Sequence, residues 1–123
     1  MVNGLHFYNL NCNLQLTEYI NQLTAIDVPI YFSVIFKYGH IAQLIMRFGS
    51  VPANSEVTVT TLPEGKRPRH IMYRNVIAGV PSGSGNNYFM SVTIPETGEV
   101  MVQNSSDYTS TETYIDVMYM CKS

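Results

Sequence analysis

The sequence predicts an all-β fold, an antiparallel sandwich or barrel built from short strands. Three observations carry that reading. In one segment after another, apolar and polar residues alternate with the period of two that a half-buried strand requires. Clusters of Gly, Pro, Asn and Ser separate those segments at short intervals. Hydrophobic residues make up 46% of the chain against 13% charged, a balance that excludes disorder and supplies a core.

In chain order, the first segment departs from the rest. Leu16, Tyr19, Ile20 and Leu23 fall on one helical stripe uninterrupted by Gly or Pro. Asn13 or Thr17 suits an N-cap, and a short N-terminal helix is expected there, although the same residues also read as a strand with weaker alternation. Pro29 to Lys37 then sets Ile30, Phe32, Val34 and Phe36 against Tyr31, Ser33, Ile35 and Lys37. His40 to Phe48 sets Ala42, Leu44, Met46 and Phe48 against Ile41, Gln43, Ile45 and Arg47. A three-residue loop, Lys37-Tyr38-Gly39, would pair Val34 with Ala42, Phe32 with Leu44 and Ile30 with Met46. Both faces of this hairpin are rich in apolar residues. A second sheet is the expected cover for one face and a neighbouring subunit for the other.

Further strands are expected over Glu56 to Leu62, Arg69 to Ala78, Asn87 to Ile94, Glu99 to Gln103 and Thr113 to Met120. The last sets Ile115, Val117 and Tyr119 against Tyr114, Asp116 and Met118. Pro95-Glu96-Thr97-Gly98 makes a second tight hairpin.

Size and charge bound the function. The 123 residues, 13.9 kDa, suit one domain over 1–123, and no linker, repeat or low-complexity tract divides it. A net charge of −2 supplies no field for nucleic acid and no cationic face for a membrane. The longest apolar stretch, Val28 to Phe36, is too short to insert as a span. The opening residues MVNGLHFYNLNCN lack the basic and apolar regions of a secretory signal, so a soluble product of a cytoplasm is expected. Cys12 and Cys121 make no disulfide scaffold and are expected as buried reduced thiols; whether they pair stays open. Scarce charge beside nine Tyr and seven Met follows the trend of buried subunit interfaces, and an obligate oligomer is expected.

Catalytic patterns are thin. His6, His40 and His70 lack metal-ligand spacing, so neither a metal nor another cofactor is expected. No nucleophile elbow or phosphate-binding loop occurs; the Gly79 to Gly85 stretch holds an early Pro and no helix follows it. Asp107, Glu112 and Asp116 lie in or beside a predicted loop, where solvation is the simpler account than a glycosidase pair. Lys66, Arg67, Arg69 and Arg74 gather in nine positions and read as a basic turn that an acidic sugar or phosphate would suit. Two polar loops fit binding better: 82–88 (SGSGNNY) and 103–113 (QNSSDYTSTET). A sugar is recognised by planar hydrogen-bonding groups on its hydroxyls and an aromatic face on its C–H surface. Asn86, Asn87 and Asp107 supply the first, and Tyr88 and Tyr108 the second. Such composition is also ordinary in loops.

One stretch resembles something known. Leu62-Pro63-Glu64-Gly65-Lys66-Arg67-Pro68, a later Val92-Thr93-Ile94, and Thr97-Gly98-Glu99-Val100 resemble the C-terminal head domains of bacteriophage tail-fibre and receptor-binding (baseplate) proteins. The match rests on Leu62, Pro63, Glu64, Gly65, Arg67, Pro68 and Gly98 within residues 28 to 120 or so. It departs at Lys66, where an aromatic is common, and in having no Trp near the last strand. Physically the motif is a rigid corner between sheets: Pro63 fixes φ, Gly65 permits a left-handed turn and Pro68 keeps Arg67 extended. It therefore marks a fold and not a binding site.

The resemblance implies a jelly-roll β-sandwich head, with 1–27 as a neck or subunit-contact segment, assembled as a homotrimer in the virion. It also implies attachment to a bacterial cell-surface saccharide, beside other virion tail or baseplate proteins and without enzymatic activity. A purely structural fibre or decoration protein and a glycan depolymerase are the competing readings.

Overall fold

The computed structural model describes residues 16–77 and 89–122. Eight strands form two four-stranded antiparallel sheets. β1 (Glu18–Ile20), β2 (Ile30–Tyr38), β3 (Ile41–Phe48) and β8 (Thr113–Met120) lie in that order in the first. β4 (Ser55–Thr61), β7 (Glu99–Asn104), β6 (Phe89–Ile94) and β5 (Met72–Ile77) make the second. Pairing is nested, β3 with β8, β4 with β7 and β5 with β6, which is the winding of a jelly roll. Leu44, Met46, Phe48, Ile115 and Val117 of the first sheet share one core with Val57, Val59, Val92, Ile94, Val100 and Val102 of the second. The β-sandwich read from alternation is the fold.

The expected N-terminal helix is absent; residues 18–20 form β1 instead. An eight-residue helix is marginal alone, because nucleation costs several fixed residues before bonds accumulate. The open edge of β2 offers bonds at once. Glu18, Tyr19 and Ile20 pair with Lys37, Phe36 and Ile35. Thr17, a candidate helix cap, instead donates its amide and its hydroxyl to the Lys37 carbonyl, at 2.7 and 2.8 Å. Ile20 and Leu23 still reach the core, so the stripe reflects burial and not helical period.

The β2–β3 hairpin also differs from expectation. Lys37 pairs with Ala42 and Tyr38 with Ile41, leaving the two-residue loop Gly39-His40 with Gly39 at φ +65°. The register therefore moves by an odd number of residues, which turns β2 over. Ser33, Ile35 and Lys37 stand opposite Met46, Leu44 and Ala42 and are buried, whereas Phe32 is exposed and Val34, buried as well, pairs with Ile45. A bulge at Tyr31 then corrects the phase, so that Ile30 pairs with Phe48 and packs on the core. β8 keeps its expected faces, with Ile115, Val117 and Tyr119 inward.

Candidate functional site

The turn that carries the resemblance leads from β4 to β5, the two edges of the second sheet, by way of the first. Pro68 bridges to Cys121, the Arg69 amide donates to the Met120 carbonyl at 2.7 Å, and Lys122 donates to Arg67 at 3.1 Å. Gly65 takes φ +86°, and the Pro63 carbonyl accepts the Lys66 amide at 3.0 Å. Gly98, at φ +98°, donates its amide to Pro95 and accepts from Leu62, both at 2.9 Å. Arg67 lies across Gly98 and donates Nε to the Leu62 carbonyl at 2.9 Å. The separated pieces of the motif thus meet as one corner.

Lys66 explains its own departure from the pattern. It is only 7% exposed and pairs with the half-exposed Glu18 of β1. The hydrogen bond from Lys66, with the charges of Lys66 and Lys37, holds the Glu18 carboxyl below the usual carboxylate range against the opposing cost of burial. Lys37 reaches the Gly65 carbonyl at 2.9 Å, and buried Tyr119 donates its hydroxyl to the Lys66 carbonyl at 2.6 Å. Burial pushes the Cys121 thiol up. The four clustered cations therefore do not make one patch: Lys66 is internal and Arg67 is committed to the corner.

The polar loop after β7 is built, not loose. Buried Asn104 donates Nδ2 to the carbonyls of Val51 and Tyr108, at 3.1 and 2.8 Å. Its Oδ1 accepts from the Ser106 amide at 3.0 Å and hydroxyl at 2.7 Å. Val51 donates to the Ser110 hydroxyl at 2.9 Å and accepts the Ser110 amide at 3.1 Å. Ser50 donates to the Thr111 carbonyl at 2.8 Å. The Asn54 side chain donates to Asp107 Oδ1 at 3.1 Å from a left-handed backbone, φ +51°. These bonds tie 104–113 to 50–54 and hold Tyr108 half-exposed at the surface.

Of the residues singled out for binding, the structure brings Asp107 and Tyr108 together on this loop. Asn86, Asn87 and Tyr88 lie outside the described residues, as do Cys12 and His6. The strand ends that border their segment, Ile77 of β5 and Phe89 of β6, are paired with each other. β6 runs antiparallel to β7, so these ends fall at the same end of the sheet as Asn104 and Ser55. Sequence reasoning passed over Asn104, which positions Tyr108 without being exposed itself. Its signal was the Asn-Ser-Ser run at 104–106, since Asn commonly bonds to the backbone two residues on. Among the described residues no three His, Cys, Asp or Glu side chains gather where a metal would bind.

The outer face of the first sheet is apolar. Tyr19, Phe36 and Tyr38 line up with ring centroids 5.3 and 6.3 Å apart. Beside them Ile41 and Ile45 of β3 point away from the core, and Tyr114, Met118 and Met120 of β8 are about half-exposed. The doubly apolar hairpin read from the sequence is there, with β3 facing the core as expected and β2 turned over.

No family model matches the chain, and no curated protein matches it. Among solved structures it is similar to the head domain of the lactococcal phage bIL170, described under the question of a common fold for the receptor-binding domains of such phages. That likeness has a TM-score of 0.55 at 12% identity and covers 82% of this chain and 100% of the phage domain. At that identity it establishes the fold: a two-sheet sandwich shared with a phage receptor-binding head. The turn at 62–68 and the hairpin at Gly98 pointed to the same class.

Proposed function

We propose that this chain is the receptor-binding head of a bacteriophage, a virion component that attaches the particle to a saccharide on the bacterial surface and does no chemistry on it. The observation that supports this most is the fold shared with the bIL170 head over most of both chains. The Asp107–Tyr108 loop, rigidly tied at its base, suits a contact surface. A preorganised loop loses less entropy on binding than a loose one.

The head works as a homotrimer in this reading. The apolar outer face of β1, β2, β3 and β8 supports it, because large contiguous apolar patches on a soluble protein usually mark contact surfaces. Three weak sugar sites on one trimer would gain avidity at a repetitive cell wall. Sedimentation at micromolar concentration should return about three times the 13.9 kDa chain mass, and a monomer would defeat the assembly. A glycan array separates the functions. Specific retention supports attachment, no retention favours a purely structural virion part, and release of cleaved glycan would identify a depolymerase.

A further inference from the structure

β1 releases β2 early. Their pairing stops at Ile20 with Ile35, and the chain beyond runs past the start of β2 with the Leu23 amide donating to the Ser33 hydroxyl at 3.0 Å. A cleft of about 250 Å³ opens there, lined by Asn21, Gln22, Leu23, Tyr31, Phe32 and Ser33 among others. The bulge at Tyr31 sets both Tyr31 and Phe32 against Arg47, so that two consecutive aromatic residues are exposed, at 55% and 47%. An ordinary strand would have buried one of them. Bulges re-aim side chains in this way, often beside sites.

We propose that this cleft binds one neutral sugar ring, stacked on Phe32 and hydrogen-bonded by the side-chain amides of Asn21 and Gln22. The inference rests on the saccharide-attachment reading above and adds a site that the loop residues do not include. No side chain lining the cleft carries a charge, so an anionic ligand would find no cation there. Arg47, which does not line the cleft, is held over the Tyr31 ring at 5.7 Å from its centroid. Tyr31 thus has one face occupied, whereas Phe32 has no ring partner among the described residues. The amides of Asn21 and Gln22 are exposed and likewise have no hydrogen-bond partner among the described residues. Two carboxamides offer donors and acceptors for vicinal hydroxyls, and an aromatic face suits the C–H side of a pyranose. The cleft is smaller than the ~300–1,000 Å³ typical of drug-sized ligands, which suits one ring with the rest of the glycan in solvent.

The test is a titration of the full chain, followed by NMR, with glucose, galactose, rhamnose and N-acetylglucosamine in turn. At least one should shift the side-chain amides of Asn21 and Gln22 and the Phe32 ring at millimolar concentration. Phe32→Ala and Gln22→Ala should each weaken that sugar about tenfold, equal to ~1.4 kcal/mol, while Tyr73→Ala, which removes an exposed aromatic of the other sheet, leaves it unchanged. Both variants alter exposed side chains, so their melting temperatures should hold. If a sugar shifts only the 104–113 loop, attachment to saccharide survives and this cleft is wrong. If no sugar shifts any resonance, both readings fall. If Phe32→Ala changes the sedimenting mass, the aromatic pair is a subunit contact and the site is overturned.

Discussion

Alanine at Gly98 should destabilise the protein about twice as much as alanine at Gly65. Both glycines hold positive φ, +98° and +86°, so each substitution carries backbone strain of ~1–2 kcal/mol. Their surroundings differ. A Cβ at Gly65 meets nothing within 4 Å. At Gly98 it would lie 2.8 Å from Arg67 Nε and 3.0 Å from the Leu62 carbonyl oxygen. Arg67 cannot simply swing away without losing its bond to that same oxygen, which has no freedom of its own. Crowding of this kind adds ~1–3 kcal/mol. The totals come to ~1.5 kcal/mol for Gly65→Ala and ~3 kcal/mol for Gly98→Ala. For a chain of this length each kcal/mol moves the midpoint by roughly 3–6 °C, so losses of about 7 and 14 °C are expected. Thermal unfolding of both variants at one fixed protein concentration measures the difference, since assembly would otherwise shift the midpoints. Adding Arg67→Ala to Gly98→Ala should recover part of the excess, and adding it to Gly65→Ala should recover none. Equal losses at the two glycines would refute the corner as described.

Other perturbations follow from the same geometry. Tyr119→Phe removes the buried bond to the Lys66 carbonyl and should cost ~1–2 kcal/mol in urea unfolding. Glu18 has its carboxyl held low in the folded state, so its contribution is present above the usual carboxylate range and is lost as pH falls through the lowered folded value. Glu18→Gln should therefore lower stability at neutral pH and flatten the acid limb of the stability curve; an unchanged limb would remove the pair from the account. Cys121 is buried with its thiol pushed up, so a thiol reagent should modify it only on unfolding. Tyr108→Ala should weaken adhesion to host cells with little change in melting temperature. Asn104→Ala should impair both, because it unties the loop from Val51 and Ser106.

The seven later strands were legible because each carries its own signal: alternation within and turn residues at both ends. β8 shows this most plainly, its inward Ile115, Val117 and Tyr119 readable without any partner. So was the corner, since Pro63, Gly65 and Pro68 constrain their own backbone wherever they stand. The helical stripe at 16–23 misled because burial of Ile20 and Leu23 imitates a helical period when a strand and a bend deliver them to the same core. Composition also marked the 103–113 loop, but not which of its residues are structural.

What the sequence determined, then, was everything encoded within a few neighbouring residues: strand class, turn positions, the apolar character of both hairpin faces and the polarity of the loops. What only the tertiary structure decided depends on residues far apart. Which face of β2 enters the core was undecidable from two apolar faces, and was settled by a two-residue turn and one bulge. Lys66 reads as a surface cation until Glu18 of another strand stands beside it. Asp107 reads as a free hydrogen-bonding group until Asn54 takes one of its oxygens. The exposed pair Tyr31 and Phe32 exists because register in one part of the sheet must be reconciled with register in another. Pairing energies of that kind belong to the whole fold and leave no mark on any single segment.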